Sequence, residues 1–130
     1  MIPEHIFEIL ADLKRAVDKL QEITQKQKTD IIRDATIQRF EFSFELFWKT
    51  CKKILAHEGS PSTSPRDTMA KAFQFHLIDD EIAFLQMLED RNKTTHIYNE
   101  EMSDKIYENI LEHATVIKKN ADKLAEKYKR

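Results

Sequence analysis

Glycine and proline are nearly missing: Gly59 is the one glycine, and Pro3, Pro61 and Pro65 are the only prolines in 130 residues. Hairpins and sheets need more of both, because their turns require positive φ or a preset φ at defined positions. The scarcity also excludes the glycine-rich loops that cradle nucleotide phosphates. Cys51 stands alone, which excludes an internal disulfide and points to a reducing compartment. No apolar run approaches the ~20 residues of a membrane span. The opening MIPEHIFEILADLKR has acids at Glu4 and Glu8 and lacks the basic-then-apolar order of a secretory signal. These absences predict a soluble cytoplasmic protein with no membrane contact. Net charge is only −2, so no overall field recruits nucleic acid, and any RNA contact must come from a local constellation.

What remains is helical in character. Charged residues make up 34% of the chain, and Lys, Glu, Leu, Ile and Ala dominate it. In the first segment Ile6, Leu10, Leu13, Val17, Leu20 and Ile23 recur at alternating four- and three-residue steps, predicting a helix from about Pro3 to the middle twenties. The polar stretch Gln25 to Asp30 separates it from a second helix that should end near Gly59, a suitable C′ residue. Ser64, Pro65 and Asp67 open a short third helix, expected to run to about Leu77 with Met69 and Phe73 inward. Asp79 is the expected cap of a fourth, from Asp80 to about Arg91. The last begins near Asn99 and carries Ile106, Ile110, Ala114, Ile117, Ala121, Leu124 and Tyr128 along one face. The expected fold is therefore all-α, one domain over residues 1–130: an up-and-down four-helix bundle with an additional short helix.

The second helix is apolar on two sides. Phe40, Phe44, Phe47, Cys51 and Ile54 form one stripe, while Phe42 and Leu46 point about 160° away, given ~100° per residue. Such a helix is either central or shared between a core and a partner, and the second option predicts a homodimer. Cys51 on this stripe reads as a buried, inert thiol, and the phenylalanine cluster as core and dimer seam rather than a base-stacking platform. Glu41, Glu45, Lys49 and Lys53 stand at i,i+4 steps and read as a salt-bridged surface. His113 reads as a satisfied core-edge histidine. His76 with Asp79 and Asp80 is the one grouping with metal-ligand chemistry, but helix capping accounts for the acids more simply; neither a metal nor another cofactor is expected.

Between the last two helices lies Asp90-Arg91-Asn92-Lys93-Thr94-Thr95-His96-Ile97-Tyr98-Asn99. Arg91 continues the Phe84, Leu88 stripe, so its guanidinium leaves the helix from the apolar side and needs a partner or a cleft. Histidine titrates near ~6.5 and can move a proton at neutral pH. Arginine stays charged and can stabilise a phosphorane. Together they suit phosphodiester cleavage by the neighbouring ribose hydroxyl, with no metal required. The bland reading is a structural arginine beside a surface histidine, and spacing alone does not decide between the two.

Arg91-Asn92 followed by His96-Ile97-Tyr98 resembles the R-polar-xxx-H-x-Y signature of the HEPN superfamily. Phe40-Glu41-Phe42-Ser43-Phe44-Glu45-Leu46 with Trp48-Lys49, Ser64-Pro65-Arg66 and Leu88-Glu89-Asp90-Arg91-Asn92 are similar to its nucleotidyltransferase substrate-binding branch. The resemblance runs from about Ile31 to Ile110. It implies a dimerising HEPN-like bundle in which two Arg–His motifs share one cleft, and a cognate minimal nucleotidyltransferase as partner. It further implies an endoribonuclease toxin of a two-gene toxin–antitoxin pair: Arg91 and His96 catalytic, Asn92 the polar orienter, and Tyr98 the adenylylation acceptor that silences cleavage. The alternative is a non-catalytic substrate-binding subunit of a two-chain nucleotidyltransferase, and a helical adaptor with no site is the third option. Lys93 departs from the pattern, which leads one to expect an apolar residue there. The chain has no Asp-x-Asp metal pair, so nucleotide transfer would fall to the partner. Whether Tyr98 reaches solvent, as an acceptor must, is open at this point.

Overall fold

Each apolar stripe becomes the buried face of a helix. The computed structural model describes residues 1–130 and contains α1 (Glu4–Thr24), α2 (Asp30–His57), α3 (Pro65–Gln74), α4 (Glu81–Lys93) and α5 (Glu100–Lys127), with no strand. A single 3-10 turn, Thr94–His96, links α4 to α5. Every stripe residue named above for the first and last helices is buried. Helix starts follow side-chain chemistry: Thr29, Ser64, Asp80 and Asn99 each accept a hydrogen bond from the backbone N–H three residues on. Asp80, not Asp79, therefore caps α4. Asp79 instead pairs with Lys119 on α5 at 3.1 Å and gives its backbone N–H to the buried Asn120 Oδ1 at 3.0 Å.

The bundle is organised around α2, which touches each of the other four α-helices. Phe40, Phe44, Phe47, Cys51 and Ile54 are fully buried. Burying a side chain of phenylalanine size stabilises by about 1.5–3 kcal/mol, so this stripe carries a large part of the core. α1 packs on one side of the α2–α5 pair, and α3 and α4 on the other. No helix is long and apolar enough to cross a membrane. Burial pushes the Cys51 thiol far up, out of the range in which a thiolate forms.

Two helix ends share one motif with different residues. After α2, Ser60 N–H bonds Leu55 O and Gly59 N–H bonds Ala56 O, with Gly59 at φ +85. After α3, Leu77 N–H bonds Ala72 O and His76 N–H bonds Phe73 O, with His76 at φ 60. Both are Schellman ends, and the second uses a residue with a Cβ in the left-handed region. This closure stops α3 at Gln74, earlier than the expected Leu77, because Leu77 turns back to bury itself. Phe73 lies outward, 42% exposed, and the inward places on α3 go to Met69 and Ala72.

Arg33 falls on the α2 stripe one turn before Ile37 and is 3% exposed. Its guanidinium donates to Asp34 at 3.0 Å, to both oxygens of Glu100 at 3.1 and 3.3 Å, and to Asp104 at 3.2 Å. Its hydrogen bonds to Glu100 and Asp34 raise its pKa further. The start of α2 is thereby clamped to the first turn of α5. Lys28 reaches the same Asp104 at 2.9 Å.

Substituting Gly59→Ala adds a Cβ that meets no neighbour, so only the backbone penalty applies; urea midpoints should show a loss of about 1 kcal/mol. His76→Gly should move the opposite way, by up to ~1 kcal/mol, because the exposed imidazole makes no hydrogen bond. Acid should destabilise the fold. The Asp104 carboxyl is held down first by Lys28, Asp67 by the backbone N–H of Thr63, and Asp79 by Lys119. A carboxylate depressed in the folded state stabilises above its unfolded value, near ~4, and that contribution is lost as pH falls through the folded value. Thermal unfolding followed from pH 7 to 2 should therefore change little above pH ~5 and drop below ~4, less steeply in Lys28→Met.

Candidate functional site

Phe84 and Leu88 are buried on α4, and Arg91 one turn further on is half-buried. Its Nη2 donates to Glu45 Oε1 on α2 at 2.6 Å. The second oxygen of Glu45 accepts the indole N–H of Trp48 at 2.6 Å, and Lys52 lies over that indole, 5.8 Å from the ring centroid. One turn earlier on α2, Glu41 Oε2 stands 2.8 Å from the Thr94 hydroxyl, which also lies 2.6 Å from Arg91 O. A hydroxyl has one proton to share between those two acceptors. Glu41 and Glu45 are thus not the salt-bridged outer surface expected from their spacing. They turn towards α4 and the 3-10 turn, while Lys49 and Lys53 stay in solvent.

The neighbouring Asp90 is buried, and its Oδ2 meets His113 Nε2 on α5 at 2.7 Å. The His113 ring stacks on Phe40 with centroids 5.5 Å apart. The last turn of α4 is therefore pinned to α5 by Asp90 and to α2 by Arg91. Beyond it the polar groups face outward. Asn92 is exposed, and its carbonyl accepts the Thr95 hydroxyl at 3.0 Å. His96 is exposed in the 3-10 turn, with Nδ1 3.5 Å from the Tyr98 hydroxyl, and Tyr98 is 79% exposed. Between them Ile97 packs against the core and ties the turn down.

The fold thus brings His96 and Tyr98 together and ties Arg91 to Glu45, with no hydrogen bond between Arg91 and His96. Lys93 is exposed and, with Asn99, Met102 and Lys105, lines a shallow hollow of about 410 Å³ beside the turn. A groove of about 630 Å³ lies between α1 and α2, lined by Phe42, Leu46 and three cations, and includes no residue of the Asp90–Asn99 segment. No group of three or more His, Cys, Asp or Glu side chains converges to hold a metal ion, so His76, Asp79 and Asp80 form no such site.

Three residues shape this region in roles that differ from any read from the sequence: Arg33, Glu45 and Trp48. Arg33 had a legible signal, since it occupies a stripe position just as Arg91 does. Glu45 had none, because its partner Arg91 comes from a helix more than forty residues away; Trp48 bonds Glu45 three residues before it on the same helix, a spacing that solvent-facing pairs share.

Known proteins resemble the chain in sequence and in fold. Residues 8–126 match the sequence model of a family described as "nucleotidyltransferase substrate binding protein like". A crystal structure of a protein from Thermus thermophilus is 30% identical, covers 86% of this chain and 98% of its own, and superposes with a TM-score of 0.80. No curated protein matches the chain.

Removing the Asp90 carboxylate strands a buried imidazole. Asp90→Ala should cost about 1–3 kcal/mol of stability in urea unfolding, and Asp90→Asn, which keeps an acceptor, should cost less.

Proposed function

The chain belongs to the nucleotidyltransferase substrate binding protein like family, and from that premise we propose that it is the partner of a minimal nucleotidyltransferase and a metal-independent endoribonuclease silenced by adenylylation of Tyr98. The observation that carries this reading is the turn itself: imidazole and phenol stand in solvent within 3.5 Å of each other, on a segment pinned at both ends. A surface this firmly held is unnecessary for a mere helix connection.

In this reading two copies associate through the outer face of α2. Ile31 is 80% exposed and Phe42 62% exposed. They lie three turns apart on that helix, about 20° off a common line, and supply the apolar seam that an unpartnered helix would not keep. With two turns brought together, His96 takes the proton of a ribose 2′-hydroxyl, the 2′-oxygen bonds phosphorus, and the bond from phosphorus to the 5′-oxygen breaks. The departing 5′-oxygen takes a proton from His96 of the partner subunit. The products are a 2′,3′-cyclic phosphate and a 5′-hydroxyl. Arg91 stabilises the charge that gathers on the phosphorane, and Asn92 orients the strand. Silencing follows when the Tyr98 phenol attacks the α-phosphorus of ATP on the transferase and expels pyrophosphate. The attached nucleotide adds bulk and negative charge two residues from His96.

A second reading has its own support. Glu45 neutralises Arg91, as suits a non-catalytic subunit that presents a substrate, or itself, to the transferase.

Labelled RNA incubated in EDTA with the purified protein separates the two. The endoribonuclease reading expects cleavage by the wild type and at least ~100-fold slower cleavage by Arg91→Ala and His96→Ala. It also expects a dimer in sedimentation that Phe42→Glu dissociates. RNA left intact at every protein concentration, with Tyr98 unmodified and a tight complex with the transferase, would establish the substrate-binding subunit instead. Tyr98→Phe should cut RNA normally and resist silencing by transferase and ATP.

A further inference from the structure

Arg91 makes a single side-chain hydrogen bond, from Nη2 to Glu45 Oε1. A guanidinium has five N–H donors, so four remain, on a side chain that is 34% exposed. Glu45 is in the opposite condition. Both of its oxygens are occupied, one by Arg91 and one by Trp48 Nε1–H, each at 2.6 Å. It is 29% exposed and cannot swing away without breaking two short bonds. The carboxylate is thus fixed from its own helix by Trp48 and fixes a cation on another helix, whose unpartnered guanidinium nitrogens are not sealed from solvent.

We propose that Glu45 is a positioning residue and charge gate for Arg91. It orients the guanidinium so that the unused N–H groups meet a phosphate of single-stranded RNA, and it holds back part of the positive charge. Only an anion that also binds elsewhere on the turn then competes for the arginine. The proposal rests on the reading of Arg91 as the phosphate-facing residue of the site. The physical consequence is an opposition between affinity and orientation. Neutralising Glu45 leaves a net positive charge where a compensated pair stood, which tightens anion binding. The same change removes an ionic acceptor and the fixed aim of the guanidinium, which slows any step needing that geometry. A carboxylate that merely braced the bundle would show neither the gain nor its dependence on Arg91. Trp48 serves the same end without charge, since its indole N–H holds the carboxylate in place.

The test uses the full-length protein and a fluorescent single-stranded RNA carrying 2′-O-methyl groups throughout, which has no free 2′-hydroxyl and cannot be cut. Affinity is measured over a series of KCl concentrations for the wild type, Glu45→Gln, Arg91→Ala and the double variant. Glu45→Gln should bind about fivefold more tightly at low salt, with a log–log salt slope steeper by about 0.7, the value for one more phosphate neutralised on a single strand. In the Arg91→Ala background the same substitution should change neither quantity. With cleavable RNA, Glu45→Gln should lower KM and lower kcat about tenfold. Trp48→Phe should lower kcat while leaving the salt slope at the wild-type value. In the wild type, the Arg91 side-chain N–H resonances, assigned by their loss in Arg91→Ala, should shift when the methylated RNA is added; this reading needs no Glu45 variant to fold.

Unchanged or weaker binding by Glu45→Gln, a gain that persists without Arg91, Arg91 resonances that do not move, or no binding by any form would each overturn the gate. Absence of cleavage by the wild type with the binding cycle intact would sink the endoribonuclease reading and support the gate. Cleavage without the cycle would do the reverse.

Discussion

A guanidinium on the apolar side of a helix must be met by carboxylates, and this requirement shapes the molecule at two places. Arg33 and Arg91 each continue a hydrophobic stripe. An unpaired charge in such a position is costly, and the carboxylates that meet it must come from another element or from the edge of the same helix. Arg33 is nearly inaccessible and its donors go to Asp34, Glu100 and Asp104. Arg91 is half-exposed and has only Glu45. The first makes four hydrogen bonds to three carboxylates, is almost closed to solvent, and is therefore structural. The second keeps donors free and therefore has something to offer a ligand.

The consequences meet in the segment between α4 and α5. Its entry is fixed by Asp90 on His113 and Arg91 on Glu45, its exit by Asn99 capping α5 and by Arg33 on Glu100. Ile97 ties the middle to the core. His96 and Tyr98 are left outward with imidazole and phenol side by side, and Asn92, Lys93 and Thr95 are exposed with them. Order in the backbone and exposure in the side chains is the combination that a site presented to a partner needs, because little ordering entropy is then lost on engagement. Both readings of function, cleavage and presentation, use this property.

The role of α2 follows from its two apolar faces. One face supplies the aromatic core and touches every other α-helix. The opposite face leaves Ile31 and Phe42 in solvent. Between them, Glu41 and Glu45 form a polar seam directed at Thr94 and Arg91. Core, candidate site and candidate dimer surface thus share one helix. Trp48 sits where they meet, half-buried and bonded to Glu45.

The sequence by itself determined the helices, because their information is local: stripe spacing, the side-chain cap Ser64, the polar break before Asn99, and Gly59 at a helix end. It also marked Arg91 as a residue in need of a partner, since stripe position is a property of one helix. The partners were decided only by tertiary structure. Glu41 and Glu45 at i,i+4 look the same on a solvent-facing surface as on a seam between helices, and only packing tells the two apart. The early stop of α3 depends on a Schellman closure built on His76, where glycine would have announced the turn. The exposure of Tyr98 was likewise undetermined, because a tyrosine next to a helix start suits core and solvent equally; the packing of Ile97 beside it fixed the direction.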